Sequence, residues 1–195
     1  MSVEFPHFAT RGSFNWEYVD AGFTQRGLQS AVYIPRKGAR YRMTFAYGPF
    51  GDPEQARVMQ ARLIQGKQRG LRVPLPLINS QGNPGAPFVN GAVVTGRVLP
   101  IKGLTPGYVV KEGYWLSIVI ANQHYLHCVE IGGRADASGN LSITLAEMLR
   151  EELGGNEVIH LSRPMVEGLV TADTVGAGFD ANRAVPLEFI IEERA

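Results

Sequence analysis

Apolar and polar residues alternate along most of this chain, and only one stretch repeats at helical spacing. Over residues 13–20, Phe14, Trp16 and Tyr18 share one face of a strand and Asn15 and Glu17 take the other. Residues 22–27 read as loop and residues 28–34 as a second strand. Pro35-Arg36-Lys37-Gly38 is a turn in which Gly38 is free to adopt positive φ. Residues 39–47 alternate most strongly, with Tyr41, Met43, Phe45 and Tyr47 on one side and Arg40, Arg42 and Thr44 on the other. This pattern predicts a hairpin over residues 28–47 with one buried face.

The helical stretch is well marked. Asp52 is an N-cap, Pro53 takes the first helical position, and Glu54 and Gln55 suit the positive end of the helix dipole. Ala56, Met59 and Leu63 form one stripe, and Gly66 ends the element. The spacing predicts an amphipathic helix over 52–65 whose stripe covers a sheet face. Residues 72–77 follow, where Pro74 and Pro76 limit a strand to a sheet edge. Residues 79–87 are the best candidate for a loop or domain seam. Beyond them, strand signals recur at 92–99, 114–121, 124–131, 141–145, 157–162, 166–172 and 185–192, and residues 146–153 could form a short helix stopped by Gly154-Gly155. The expected fold is mainly β, a β-sandwich or barrel-like unit with that helix. It is read as one unit over 1–195, or as a hairpin-plus-helix part (1–78) and a sandwich or barrel part (88–195).

Composition narrows the function classes. Hydrophobic residues make up 45% and charged residues 19%, which excludes a disordered tail. Lys+Arg 19 against Asp+Glu 18 lacks the basic excess of a nucleic-acid binder. No apolar run is long enough for a membrane span, and the opening Met1-Ser2-Val3-Glu4-Phe5-Pro6-His7 has no secretory character. The lone Cys128 forms no internal disulfide. Charge is uneven: residues 1–72 hold eleven Lys/Arg and five Asp/Glu, and residues 73–195 hold eight and thirteen. This reads either as local salt bridging or as a head-to-tail contact between copies.

Motifs with chemistry are few. His124-Tyr125-Leu126-His127-Cys128 has metal-like content, but on a strand His124 and Cys128 face one way and His127 the other, so they do not converge on one ion. Cys128 reads as a small buried hydrophobe. Asp136-Ala137-Ser138-Gly139-Asn140 resembles the start of a calcium loop, but Leu141 stands where the sharp turn needs Gly, so it reads as a tight turn. No nucleophile elbow, phosphate loop, dinucleotide fingerprint or zinc-protease helix occurs. Glu151-Glu152 and Glu192-Glu193 read as solvated, and Trp16 and Trp115 as core anchors.

The order of features carries more. The aromatic strand with Trp16 leads to Arg40-Tyr41-Arg42-Met43-Thr44-Phe45. A capped helix runs into Gln65-Gly66-Lys67-Gln68-Arg69-Gly70, followed by the proline-flanked strand at 73–77. Then come Gly96-Arg97-Val98-Leu99, Gly103-Leu104-Thr105-Pro106-Gly107, Lys111-Glu112-Gly113-Tyr114-Trp115, His124-Tyr125-Leu126-His127, Ala135-Asp136-Ala137-Ser138-Gly139 and Met148-Leu149-Arg150. This succession, over roughly residues 13–163, resembles the tail-tip structural proteins of long-tailed bacteriophages, and most of all the distal tail proteins. It departs from them at Glu112-Gly113-Tyr114, where an acidic residue is expected straight after the glycine.

The resemblance implies a homo-oligomeric ring, usually sixfold, joining the tail tube to the tip hub or baseplate. It implies residence in the virion after synthesis in the host cytoplasm, no enzyme activity and no cofactor. Arg36, Lys37, Arg40 and Arg42 of the predicted hairpin are the candidate inter-subunit contact. The alternatives are another virion ring, such as a tail terminator or connector, and a carbohydrate-binding, host-contacting sandwich with Tyr114 and Trp115 as a stacking platform.

Overall fold

The computed structural model describes residues 2–6, 12–27, 30–50, 52–171 and 185–194. In chain order the elements begin with β1 (Val3–Glu4), β2 (Gly12–Val19), β3 (Phe23–Arg26), β4 (Ala31–Ile34), β5 (Arg40–Phe50), α1 (Pro53–Arg69) and β6 (Leu71–Pro74). Next come β7 (Gly85–Val89), β8 (Val98–Leu104), β9 (Val109–Val110), β10 (Trp115–Ile120), β11 (Gln123–Ile131) and β12 (Gly133–Arg134). The last are β13 (Leu141–Leu145), β14 (Ile159–His160), β15 (Met165–Val170) and β16 (Val185–Glu193). The protein is mainly β, as the alternation predicts.

The chain divides into two compact units, with one boundary between Pro76 and Leu77, ahead of the 79–87 stretch. The first unit is Met1–Tyr18, Tyr41–Pro76 and Val166–Arg194; the second is Val19–Arg40 with Leu77–Met165. The division is therefore not a cut into 1–78 and 88–195, because β15 and β16 return to the sheet begun by β1 and β2. The charge imbalance of the two sequence halves dissolves with it. Counted along the sequence, the first unit has nine Lys/Arg and ten Asp/Glu, and the second ten and eight.

The first unit is one six-stranded sheet, in the order β1-β6-β15-β16-β5-β2, with α1 packed at the β1–β6 end. Its apolar face carries Val3, Phe5, Leu71, Val73, Met43, Phe45, Phe189 and Ile191, all buried. The rings of Phe45, Tyr47 and Phe189 stack there and Phe5 packs against them at a tilt, with Phe189 5.0 Å from Phe5 and 5.5 Å from Phe45. Burial raises the Tyr47 hydroxyl to about 12. α1 starts as its sequence predicts: Asp52 is the N-cap, its carboxylate accepting from Glu54 N–H at 3.0 Å. Ala56, Met59 and Leu63 are its buried stripe. It runs past Gly66, which lies inside the helix where the Leu71 side chain presses close; a Cβ there would sit 2.7 Å from Leu71 Cδ1. Gly70, at φ 93°, is the true cap, and its N–H bonds the Gly66 carbonyl. β6 is no edge strand. It lies between β1 and β15, which is allowed because Pro74 is its last residue and Pro76 lies beyond it.

The predicted hairpin over 28–47 does not form. β4 pairs instead with β3, which occupies the stretch read as loop, with Phe23 opposite Ile34 and Arg26 opposite Ala31. Residues 28 and 29 lie outside the described set. β5 pairs with β16, Phe45 opposite Phe189 and Arg42 opposite Glu192. Alternation identifies which face of a strand is buried, and it carries no information on which strand lies alongside.

The second unit is a six-stranded sheet, β14-β10-β11-β13-β8-β7, that nearly closes into a barrel. Its terminal strands meet through the bridge Phe88–Val158 and the bonds Val89 N–H to Glu157 O and Asn156 N–H to Val89 O, both 3.0 Å. Leu99, Ile101, Leu116, Ile118, Ile143 and Leu145 fill the interior. β9 pairs with β12, and β3 with β4 forms a separate two-stranded ribbon. Part of the stretch read as loop is β7, and the segment read as 92–99 begins its strand only at Val98. Residues 146–153 are not helical. Their backbone is drawn outward: Ala146, Leu149 and Leu153 donate to the carbonyls of Cys128, Gly96 and Val93, each at 2.9 Å, in place of helical partners.

Candidate functional site

All eight residues of the β3–β4 ribbon are exposed. On one side lie Phe23 (50% exposed), Val32 (57%), Ile34 (41%) and Gln25; on the other lie Tyr33, Thr24, Ala31 and Arg26. An isolated two-stranded hairpin is at best marginally stable, and clustered exposed apolar side chains are the kind of surface that marks an interaction site. Its base is fixed by Asp20, whose carboxylate accepts from the Tyr33 hydroxyl at 2.6 Å and Gly22 N–H at 2.8 Å. Those bonds, the Tyr33 one foremost, hold the Asp20 carboxyl below its usual range.

The four predicted contact residues do not act as one patch. Arg36 and Lys37 are exposed in the turn beside the ribbon: Arg36 lies over the Phe23 ring, 5.7 Å from its centroid, and Lys37 Nζ donates to Val94 O at 3.2 Å. Arg40 is half-buried at the start of β5. Arg42 points to the polar face of the first unit's sheet, donating from Nη2 to Glu192 Oε2 at 2.7 Å and lying 3.6 Å from Glu17. These acidic partners raise its already high pKa further.

That polar face is a ladder of charges running across the strands. Glu4 is in register with Arg72, which pairs with Glu167 at 2.9 Å. Leu169 is in register with Glu192, and Glu192 with Arg42. Glu188, on β16, shares the face and is exposed. With Glu17, five carboxylates thus accompany three guanidiniums, since Arg40 alternates onto the same face as Arg42. Glu192-Glu193 are not simply solvated: Glu192 is in the ladder, and Glu193 is buried and accepts from Tyr41 N–H at 2.9 Å.

The remaining candidate residues are held in structural bonds. β11 alternates as a strand should, sending His124 toward Ser117 (Nδ1 to Oγ 3.2 Å) and His127 toward Glu147 (Nδ1 to Oε1 2.6 Å). Among the described residues no three His, Cys, Asp or Glu side chains are placed to hold a metal ion. Asp136 closes its turn by accepting from Ser138 and Asn140 N–H at 2.8 and 2.7 Å, which lowers its carboxyl. Trp115 is half-buried, and Tyr114 packs against the barrel core, so the pair presents no open stacking platform. The exposed tryptophan is Trp16 (50%), which with Tyr18 rests on the Tyr41 ring at the rim of the first unit's apolar face. Sequence reading missed Gln81: its buried amide bonds the Trp115 carbonyl and N–H, both at 2.8 Å, and the Leu161 carbonyl. A groove of about 200 Å³ lies between Pro84–Phe88 and Val158–Ser162, with His160 and Ser162 as its polar side chains. No helix among the described residues is long and apolar enough to cross a membrane.

Cys128 is half-buried, and burial, aided by the Glu147 carboxylate, pushes its thiol up to about 11. Iodoacetamide at pH 8 is expected to label it about two orders of magnitude more slowly than an unperturbed cysteine, from the smaller thiolate fraction. Equal rates for native and urea-unfolded protein would contradict this environment.

The chain matches no protein-family model, and no curated protein matches it.

Proposed function

We propose that this protein is a structural component of the tail tip of a long-tailed bacteriophage, assembling into a homo-oligomeric ring between tail tube and tip hub or baseplate. Its role in the virion is mechanical, with no catalysis and no cofactor. The observation that supports this best is the ribbon of β3 and β4, exposed on both faces, apolar on one and flanked by cations. Such an element gains its stability from a neighbour, and a neighbour in a closed ring is another copy. The order of sequence features resembling distal tail proteins supplies the setting.

The test is light scattering on a size-exclusion peak, with negative-stain imaging of the same fraction. A sixfold ring of 21.3 kDa chains weighs about 128 kDa and is annular. Protein that stays at monomer mass from micromolar to millimolar concentration, with no annular particle, argues against the ring. Stabilisation in a thermal-shift screen by one class of glycan would move the reading to a host-contacting module.

A further inference from the structure

Two surfaces of this chain are complementary in charge and in apolar content. The ribbon and its flanking turn carry Arg26, Arg36 and Lys37 against Asp20 alone, and Asp20 is engaged by Tyr33. The charged face of the first unit's sheet carries Glu4, Glu17, Glu167, Glu188 and Glu192 against Arg40, Arg42 and Arg72. Over β16, β5 and β2 this face is open: Arg42 and Glu17 are 43% and 59% exposed at the side chain, and Glu188 is exposed. Apolar groups accompany the charges on both surfaces, Leu169 (44% exposed) on the sheet and Phe23, Val32 and Ile34 on the ribbon. The opposite face of the sheet packs α1 at its β1–β6 end and buries an aromatic cluster, with Trp16 and Tyr18 exposed at its rim.

We propose that the ribbon of one copy docks across the charged sheet face of the next copy, apolar side inward, with Arg36, which lies over the Phe23 ring of that side, and the neighbouring Lys37 toward Glu17 and Glu188. This rests on the ring reading above and names the surface that receives the ribbon. The contact is heterologous, ribbon to sheet, so each copy both gives and receives, as closure into a ring requires. Both surfaces are distinct from the imbalance of the sequence halves, which vanishes in the folded units. Opposite charges at such an interface steer association and fix register, and their effect is screened by salt.

The test is a charge swap read by analytical ultracentrifugation. Wild type is expected to assemble, and to assemble less at 0.5 M than at 0.05 M salt, as roughly expected when the Debye length shrinks. Arg36→Glu with Lys37→Glu, and separately Glu17→Lys with Glu188→Lys, are each expected to weaken association at least about tenfold. An equimolar mixture of the two variants restores it, because each ribbon again meets an opposite sheet face. Circular dichroism checks that these exposed substitutions leave the fold intact; the single pair Arg36→Glu and Glu188→Lys serves if a double variant does not fold. If wild type assembles and the variants assemble equally well, or the mixture fails to rescue, the docking is wrong and the ring stands. If wild type never assembles, both fall.

Discussion

Replacing Phe189 with alanine is expected to lower the stability of the first unit by about 3–5 kcal/mol, the range for deleting a fully buried aromatic ring. Phe189 is 2% exposed and faces Phe45 directly across the β16–β5 ladder. Its ring also meets Phe5, at 5.0 Å, and Tyr47, at 6.0 Å. One side chain therefore ties together three segments that are distant in sequence. The cavity left by alanine is lined by rings held on sheet strands, which limits how far it can collapse. Urea unfolding followed by Trp16 fluorescence, in a Trp115→Phe background, reads the effect in the unit concerned. Phe189→Leu, which keeps most of the volume, is expected to cost clearly less. A loss below about 1 kcal/mol for the alanine variant would mean that the cluster relaxes freely, against the packing described.

The second large effect is expected at Glu147. Its carboxylate and the His127 imidazole are each 1% exposed at the side chain, 2.6 Å apart, and the same oxygen accepts from Cys128 N–H at 3.3 Å. A carboxylate only accepts, so the imidazole donates from Nδ1. Glu147→Ala removes that acceptor from two buried donors and is expected to cost about 3–5 kcal/mol, as for breaking a buried polar pair. Glu147→Gln keeps an acceptor oxygen and is expected to cost less. The paired change His127→Leu with Glu147→Leu is expected to recover much of the loss, since apolar groups replace both partners. A denaturation cycle over wild type, His127→Leu, Glu147→Leu and the double variant measures the coupling, and additivity of the two single changes would refute the pairing.

Much of the fold was legible in the chain itself, for reasons that also mark where legibility stops. The alternation in β5, β13 and β16 reflects burial of one face, a local property written in consecutive residues, whereas the equally regular β2 keeps Trp16 and Tyr18 exposed. The helix start was legible because Asp52 and Pro53 act on the next turn. Its end was not, because Gly66 resembles a cap unless Leu71 is known to press against it. The partner of β5 was illegible: Arg42 and Glu192 are 150 positions apart, and no local signal joins them. The same holds for the candidate site. Sequence grouped Arg36, Lys37, Arg40 and Arg42 by proximity along the chain, whereas the fold sends Arg36 and Lys37 to the ribbon and Arg42 to the charge ladder. Residues 146–153 have helical composition, but Glu147 and Arg150 are drawn to β11, the latter donating to the Leu126 carbonyl at 3.0 Å. Tertiary bonds there outweigh a weak local preference.

The first unit is assembled from three separate stretches of chain, and β16 is the last of them. Until β16 has been synthesised, the sheet lacks its link between β15 and β5, and the charged face lacks Glu188 and Glu192. Pairings of such long range form late and slowly. Under the proposed docking, a nascent chain would carry a finished ribbon while having no surface to receive another's. Assembly competence would then arrive with the final residues of β16, and a prematurely terminated chain would cap a growing ring at one side without propagating it.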